Sequence, residues 1–398
     1  VPIIDYDDIS AILTLRYNPN KPPARPPLTA RDFRPSKINA EQAESQVVKI
    51  IEQDLGKGLS KNASILLSGG VDSVLTLAML KSCRPDLRLS CISMGFGDGD
   101  DEITPAKEAS GLFNCDFYSI CKPDILQDLP KLISIVKEPR WNLYQYYPLE
   151  LASTKSKTVF TGDGGDELFG GYTFRYQKYL SLLSTNNWKD KVKLYLACHE
   201  RDWVPDQDKL FGPKVRFSWG KTYRSLGKSF VNRLGPLDQV FLADFNGKLL
   251  HDWLPVNAAF ARFLDVRTRS VFLSNAMVRF AAHVPWQLKY DLQTAGGKLP
   301  LLSVLRKKGI DVDPVKKGFS VNTLTLWKKS AKEIVGRYVN SESEVVKAGI
   351  ISSEWVSKTW SRLDEPDVRY INKMLGILAL EIWWRLFVSR TIKPAEKL

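Results

Sequence analysis

Residues 64–73, Ser-Ile-Leu-Leu-Ser-Gly-Gly-Val-Asp-Ser, run from strand-forming residues into two glycines and restart with helical character. Beyond them Val74, Leu75, Leu77, Ala78, Met79 and Leu80 continue with an apolar face. A strand that stops in glycines and resumes as a helix builds an anion cradle. The glycines let the backbone approach an oxyanion, the unpaired N–H groups of the first helical turn point at it, and Ser68 and Ser73 add hydroxyl donors. Asp72 sets a carboxylate beside that cradle, which calls for a divalent cation between the two. A nucleotide with its magnesium meets both demands. The spacing is not that of the Walker-type loop, which needs a Lys after its last Gly.

Outward from this stretch, strand and helix patterns alternate. Upstream, Asn39 can cap a helix running to about residue 55, with Val47, Val48, Ile50, Ile51 and Leu55 on its buried face. Downstream, residues 87–95 read as a second buried strand, 103–112 as a helix, 117–120 as a third strand and 126–136 as a helix. Residues 158–161 form a further short strand that again ends in glycines. The alternation predicts an α/β fold with a doubly wound parallel sheet, whose ligands bind at the carboxyl ends of the strands. Both Gly-rich loops lie at such ends. After Tyr172 the pattern turns helical and aromatic, with segments at 238–250, 257–265, 275–282 and 371–388. The expected organisation is a proline-rich arm (1–38), a nucleotide-binding core (39–172) and a helical substrate-side portion (173–398). The prolines between residues 18 and 27 favour extended backbone, so the arm reads as a surface-hugging or docking segment.

Bulk properties narrow the function classes. The 398 residues are 44% hydrophobic and 25% charged, the balance of a soluble globular protein with a substantial core. No stretch approaches the ~18 uncharged apolar residues of a membrane span; the helical pattern at 371–388 is interrupted by Lys373, Glu381 and Arg385. The first residues have neither the basic nor the apolar region of a signal peptide, and the five scattered cysteines make no metal-type pair. A cytoplasmic protein with free thiols is expected. The net charge of +13 is spread along the chain and suits a phosphate-rich substrate; it does not by itself make a nucleic-acid-binding protein.

A second constellation decides the chemistry. Residues 161–172, Thr-Gly-Asp-Gly-Gly-Asp-Glu-Leu-Phe-Gly-Gly-Tyr, crowd three carboxylates among glycines, which repel one another unless a cation or a protonatable group shares the site. Together the two stretches resemble SGG[LV]DS and the GSDE-x-FGGY loop of the synthetase domain of asparagine synthetases, β-lactam synthetases and lasso-peptide cyclases. The resemblance implies a nucleotide-binding sheet of the adenine nucleotide α-hydrolase (PP-loop) type and a ligase that adenylates a carboxylate, releases pyrophosphate and passes the acyl group to ammonia or an amine. ATP and Mg2+ are the implied cofactors. Carried over residue by residue, Ser68, Gly69, Gly70 and Ser73 hold pyrophosphate, Asp72 and Asp166 ligate magnesium, and Leu66, Met94, Thr161 and Gly162 line the AMP pocket. Asp163 stands where the family deprotonates the attacking amine, and Asp252, in Leu-His-Asp-Trp-Leu, resembles its acidic partner. Lys316, in Val-Lys-Lys-Gly-Phe, resembles the lysine of the family's PKxGF loop, and Lys298 a further lysine near the phosphates. Glu138 and Arg267 fall on the substrate side.

Two departures qualify the resemblance. Glutamine-using asparagine synthetases begin with a glutaminase domain whose N-terminal Cys is the nucleophile; here position 1 is Val and the first cysteine is Cys83. Nitrogen is therefore expected as ammonia, from a separate glutaminase subunit, or as a substrate amine. The segment 257–274 keeps an Asp265-Val-Arg267 core but loses the proline and final aspartate of the family pattern, which puts aspartate as the acid in question. A non-asparagine amide or lactam is the alternative product, and a tRNA-modifying ATP pyrophosphatase the alternative class. Small molecules rather than nucleic acid or membrane are the expected partners, with a homo-oligomer compatible.

Overall fold

The computed structural model describes residues 4–56, 61–97, 102–199, 203–313, 321–363 and 365–398. Five strands build one parallel sheet: β1 (Asn62–Leu66), β2 (Arg88–Gly95), β3 (Asp116–Cys121), β4 (Thr158–Phe160) and β5 (Arg267–Arg269), in the order β3-β2-β1-β4-β5. The chain moves outward from β1 through β2 to β3, then returns to place β4 on the other side of β1. Between β1 and β4 the winding reverses, and that is where an open α/β sheet leaves a ligand crevice at its carboxyl edge. Both Gly-rich loops leave the sheet there.

The doubly wound parallel sheet expected from the alternation is present, with a fifth strand that the pattern did not reveal. β5 is three residues of Arg-Thr-Arg within the segment 257–274, too short and too polar to show strand periodicity. It pairs Thr158 with Arg267 and Phe160 with Arg269, so the region beyond residue 172 contributes directly to the sheet.

Helices cover both faces. On one side Ala40–Leu55 and Val71–Cys83 bury Val47, Ile51, Leu55, Leu75 and Leu77 against Ile65 and Phe160. The first of these helices starts with a capping box: Asn39 Oδ1 accepts from Gln42 N (2.8 Å) and Gln42 Oε1 from Asn39 N (2.9 Å), an arrangement that contributes about 1 kcal/mol. On the other side Leu129–Val136 and Tyr146–Ser153 share a core with the last helix, Val368–Phe387. The charges inside that last helix are all used. Glu381 is fully buried, accepts from the Glu344 and Val345 N–H groups (both 3.0 Å) and pairs with Arg385 (2.7 Å); Lys373 donates to the Leu13 carbonyl (2.7 Å). No helix among the described residues is long and apolar enough to cross a membrane, and all five cysteines are free.

The N-terminal arm starts with a helix the sequence reading did not assign, Tyr6–Leu15, capped by Asp5. After it the chain runs as a strap over the helical portion. Ala24 N donates to Leu250 O (3.1 Å), Leu28 exchanges two hydrogen bonds with the Asn246 side chain, and Ser36 N donates to His283 O (2.8 Å). Tyr17 is buried against His251 and Gly247, where a Cβ would lie 2.3 Å from the Tyr17 hydroxyl. Arg16, at φ 71°, turns out of the helix into the central cavity.

Candidate active site

A cavity of 1140 Å³ opens at the carboxyl edge of the sheet. The loop after β1 and the loop after β4 form its floor. Leu66, Ser68, Gly69, Gly70, Asp72, Ser73, Met94, Thr161 and Gly162, the residues carried over for ATP, all line it, as do Asp163, Asp166, Asp252 and Lys298.

The first loop keeps its donors available. Helix Val71–Cys83 begins at Gly70, which offers no side-chain cap, so the N–H groups of the first turn face the cavity without one. Ser73 Oγ lies 3.1 Å from the Gly70 carbonyl and 3.3 Å from Ser68 Oγ, which draws both hydroxyls to the mouth of the turn. Hydroxyls and N–H groups at a helix start suit a phosphate.

Beside them Asp72 and Asp166 converge on one ammonium. Lys298 Nζ lies 2.5 Å from Asp72 Oδ2 and 2.6 Å from Asp166 Oδ1. Burial works against the charge on Lys298, but Asp166 and Asp72 outweigh it and hold the ammonium well above its ordinary pKa. Two glycines permit the convergence. A Cβ on Gly165 would sit 2.4 Å from Asp72 Cγ, and one on Gly171 would sit 1.8 Å from Asp166 Oδ1. The glycines of the second loop are thus there to let carboxylates approach. Two close hard-oxygen ligands beside a phosphate cradle fit a magnesium ion, and Asp72 and Asp166 are the residues that would hold it.

Asp163 sits apart from this cluster. Trp253 Nε1–H donates to its Oδ1 (2.6 Å), and Thr161 Oγ1 (2.9 Å) and Asn257 Nδ2 (3.3 Å) donate to its Oδ2. The Ser270 hydroxyl fixes its backbone carbonyl (2.6 Å). Burial raises its carboxyl above the usual aspartate range, and the three hydrogen bonds pull the other way. A half-buried carboxylate oriented by neutral donors suits a proton acceptor.

The remaining expectations need correction or lie elsewhere. Asp252 lines the cavity with its carboxylate in an ion pair with the fully buried guanidinium of Arg140, whereas Asp163 draws its donors from Trp253, Thr161 and Asn257. Asp163 and Asp252, expected to work together, thus line one cavity with different anchoring neighbours. Glu138 is not at the cavity wall. It stands behind it, 2.7 Å from Arg140 Nε and 2.8 Å from Lys21 Nζ, where burial would raise its carboxyl but Arg140 and Lys21 hold it below its ordinary value. Arg267 opens the edge strand β5 with its side chain exposed, outside the cavity. Its neighbour Asp265 pairs with Lys157 on the surface (2.6 Å). Lys316 lies outside the described residues.

The sequence reading missed the helical wall of the cavity. Helix Thr173–Leu182 brings Arg175, whose guanidinium grips Asp244 bidentately (3.0 and 3.1 Å); Tyr195 donates to the same carboxylate (2.7 Å). His199 contacts Arg175 through Nε2, and burial together with that guanidinium keeps its pKa well below the ordinary value. Tyr172 Oη donates to Glu167 Oε1 (2.6 Å), and burial, then the charge of Asp166, pushes the Glu167 carboxyl up to about 7. Lys248 comes from a π-helix, Phe245–Trp253. Glu167 and Tyr172 stood in the motif already singled out, and Trp253 follows Asp252 directly. For Arg16, Arg175 and Lys248 no local pattern exists, because distant segments deliver them to the cavity.

A family model described as asparagine synthase matches residues 60–385. An asparagine synthetase [glutamine-hydrolyzing] of Bacillus subtilis is 26% identical over 410 residues, covering 92% of this chain and 63% of that protein. One from Sandersonia aurantiaca is 26% identical over 48% of this chain and 36% of its own length. The chain thus spans less than two thirds of the length of these curated relatives. Among solved structures, an NH3-dependent NAD synthetase from Campylobacter jejuni matches with a TM-score of 0.24 and 17% identity over 34% of this chain and 61% of that one. A U34-tRNA thiolase from Methanococcus maripaludis matches with a TM-score of 0.25 and 13% identity over 69% and 90%.

Proposed function

The chain belongs to the asparagine synthase family, and from that premise we propose that it is an ATP-dependent amide-forming ligase. It adenylates a small carboxylic acid, releases pyrophosphate, and transfers the acyl group to ammonia or an amine. The observation that carries this reading is the meeting of Asp72 and Asp166 on Lys298 beside the Ser68–Ser73 loop, with Asp163 on the same cavity wall. A phosphate cradle, a cation site and a separate, half-buried proton acceptor are what two successive steps require.

In the first step an oxygen of the acid attacks the α-phosphorus of ATP and the bond to the β-phosphate oxygen breaks. The first-turn N–H groups of Val71–Cys83 and the hydroxyls of Ser68 and Ser73 receive the departing pyrophosphate. Lys298 sets a fixed positive charge beside it. Magnesium, when held by Asp72 and Asp166, supplies electrostatic stabilisation of phosphate charge. In the second step the amine nitrogen attacks the acyl carbon, AMP leaves, and the nitrogen's proton passes to Asp163, oriented by Trp253, Thr161 and Asn257. We assign to Lys316 the charge that steadies the oxyanion of that step. Since Arg267 is exposed, recognition of the acid falls to other residues, and acids besides aspartate are candidates.

The test supplies MgATP with a panel of carboxylic acids, aspartate first, plus ammonia, and in parallel with tRNA, and measures AMP and pyrophosphate. A carboxylic acid that elicits both products supports the ligase. Release of both with tRNA and with no carboxylic acid, or formation of ADP and phosphate instead, contradicts it.

A further inference from the structure

Four cationic side chains face or flank the helical wall of the cavity, and they are not equally neutralised. Arg140 is paired with Asp252 and Glu138, and Arg175 with Asp244. Lys248 has no carboxylate within ion-pair distance among the described residues. Among the described residues its hydrogen bond is a long contact to Tyr172 Oη (3.5 Å), whose ring it also overlies at 4.8 Å. The carboxylates nearest to it are committed elsewhere, Glu167 to Tyr172 and Asp252 to Arg140, and Arg16 and Arg175 add positive charge beside it. A half-buried ammonium in this setting is costly unless a ligand balances it.

Its position on the helix gives that ligand a role. Lys248, Asp252, Trp253 and Asn257 all line the cavity from the continuous helical stretch Phe245–Trp253 and Leu254–Phe263. π-helical turns of this kind recur at functional sites. Trp253 and Asn257 are the residues that grip Asp163. Lys248 therefore stands roughly 7 Å along the helix axis from Trp253 and roughly 14 Å from Asn257, so its side chain and a short bifunctional molecule together can span to the proton acceptor. The cavity has room for one: 1140 Å³ exceeds the roughly 300–1,000 Å³ typical of a pocket for a single ligand.

We propose that Lys248, with Arg16 beside it, recognises a carboxylate on the amine whose proton Asp163 accepts, so that the nitrogen donor is a carboxylate-bearing amine of the amino-acid class rather than free ammonia. The proposal rests on the ligase reading above. Ammonia has no group for Lys248 to bind.

The test compares β-alanine with n-propylamine, amines of matched length that differ in the carboxylate. Each is titrated into the protein holding magnesium and a non-hydrolysable ATP analogue, and followed by saturation-transfer NMR. β-Alanine is expected to bind at least tenfold more tightly than propylamine. Lys248→Met is expected to erase the difference by weakening β-alanine alone, and Lys248→Arg to preserve it. Equal binding of the two amines by the wild-type protein overturns the proposal without recourse to any variant, and so does a preference that survives in Lys248→Met. Acid-dependent ATP–pyrophosphate exchange separates the layers. Exchange with no amine preference sinks the role of Lys248 and leaves the ligase standing. Exchange lost in Lys248→Met with the amine preference intact moves the negative group onto the acid, and also overturns the proposal.

Discussion

At the loop side of the cavity two carboxylates share one ammonium, whereas on the helical side Arg140 takes Asp252 and Glu138, Arg175 takes Asp244, and Lys248 has no carboxylate within ion-pair distance among the described residues. The difference follows from how each side is built. Asp72 and Asp166 sit on adjacent loops whose glycines allow their oxygens to meet, leaving a site with surplus negative charge suited to a cation. Arg140 and Arg175 are delivered by separate helices and loops and need partners wherever they are buried. In the proposed reaction the first side would take the metal and phosphates, and the second the organic substrates.

The largest effects should come from disturbing the shared ammonium. Lys298→Met leaves Asp72 and Asp166 facing each other in a buried site, and removing one partner of a buried ion pair costs about 3–5 kcal/mol. In EDTA the variant should melt well below the wild type, and magnesium should restore part of the loss. A variant that melts like the wild type in EDTA would show that Lys298 does not neutralise the pair. On the helical side Asp244→Asn strands the Arg175 guanidinium at full burial, with a similar expected loss of about 3–5 kcal/mol. Here magnesium should rescue nothing, and rescue would break the contrast between the two sides.

Smaller and more local is Gly171→Ala, whose methyl would overlap Asp166 Oδ1. Pyrophosphate exchange should fall at least tenfold with the sheet intact by circular dichroism. An acid titration gives a pH-dependent test. Arg140 and Lys21 hold Glu138 below its ordinary value of 4.5 against the pull of burial. The unfolded state therefore binds the proton more readily, so the stability from this group is present above about pH 4.5 and drains away as pH falls through the lower folded value. Glu138→Gln should flatten that part of the stability curve; an unchanged slope would mean that the pairing contributes nothing. At the bottom of the scale, Arg267→Ala should alter acid-dependent exchange by less than about twofold, as exposed surface changes usually do, and a large drop would return Arg267 to the substrate side.

The same contrast explains what the sequence disclosed. The loop side is local: Ser68 to Ser73 and Thr161 to Tyr172 each carry their chemistry within about a dozen residues, and the strands before them are apolar enough to show. The glycines could be read as permitting a cradle, although the closeness they allow at Gly165 and Gly171 becomes visible only in three dimensions. The helical side is assembled from positions 16, 175, 199 and 248, and no spacing in the chain announces that these meet. Asp252 reaches the cavity as its motif suggested, but its pairing with Arg140, fixed by a distant loop, could not be read from the motif. β5 escaped because three polar residues at a sheet edge have no periodicity to detect.

In the proposed reaction adenylation and amide formation use separate groups, the first at the Asp72–Asp166–Lys298 cluster and the second at Asp163. Acid-dependent ATP–pyrophosphate exchange and amide formation, measured side by side in wild type and Asp163→Asn, test it most directly. Exchange should stay within a few-fold of wild type while amide formation falls by at least about a hundredfold. Equal loss of both would contradict it.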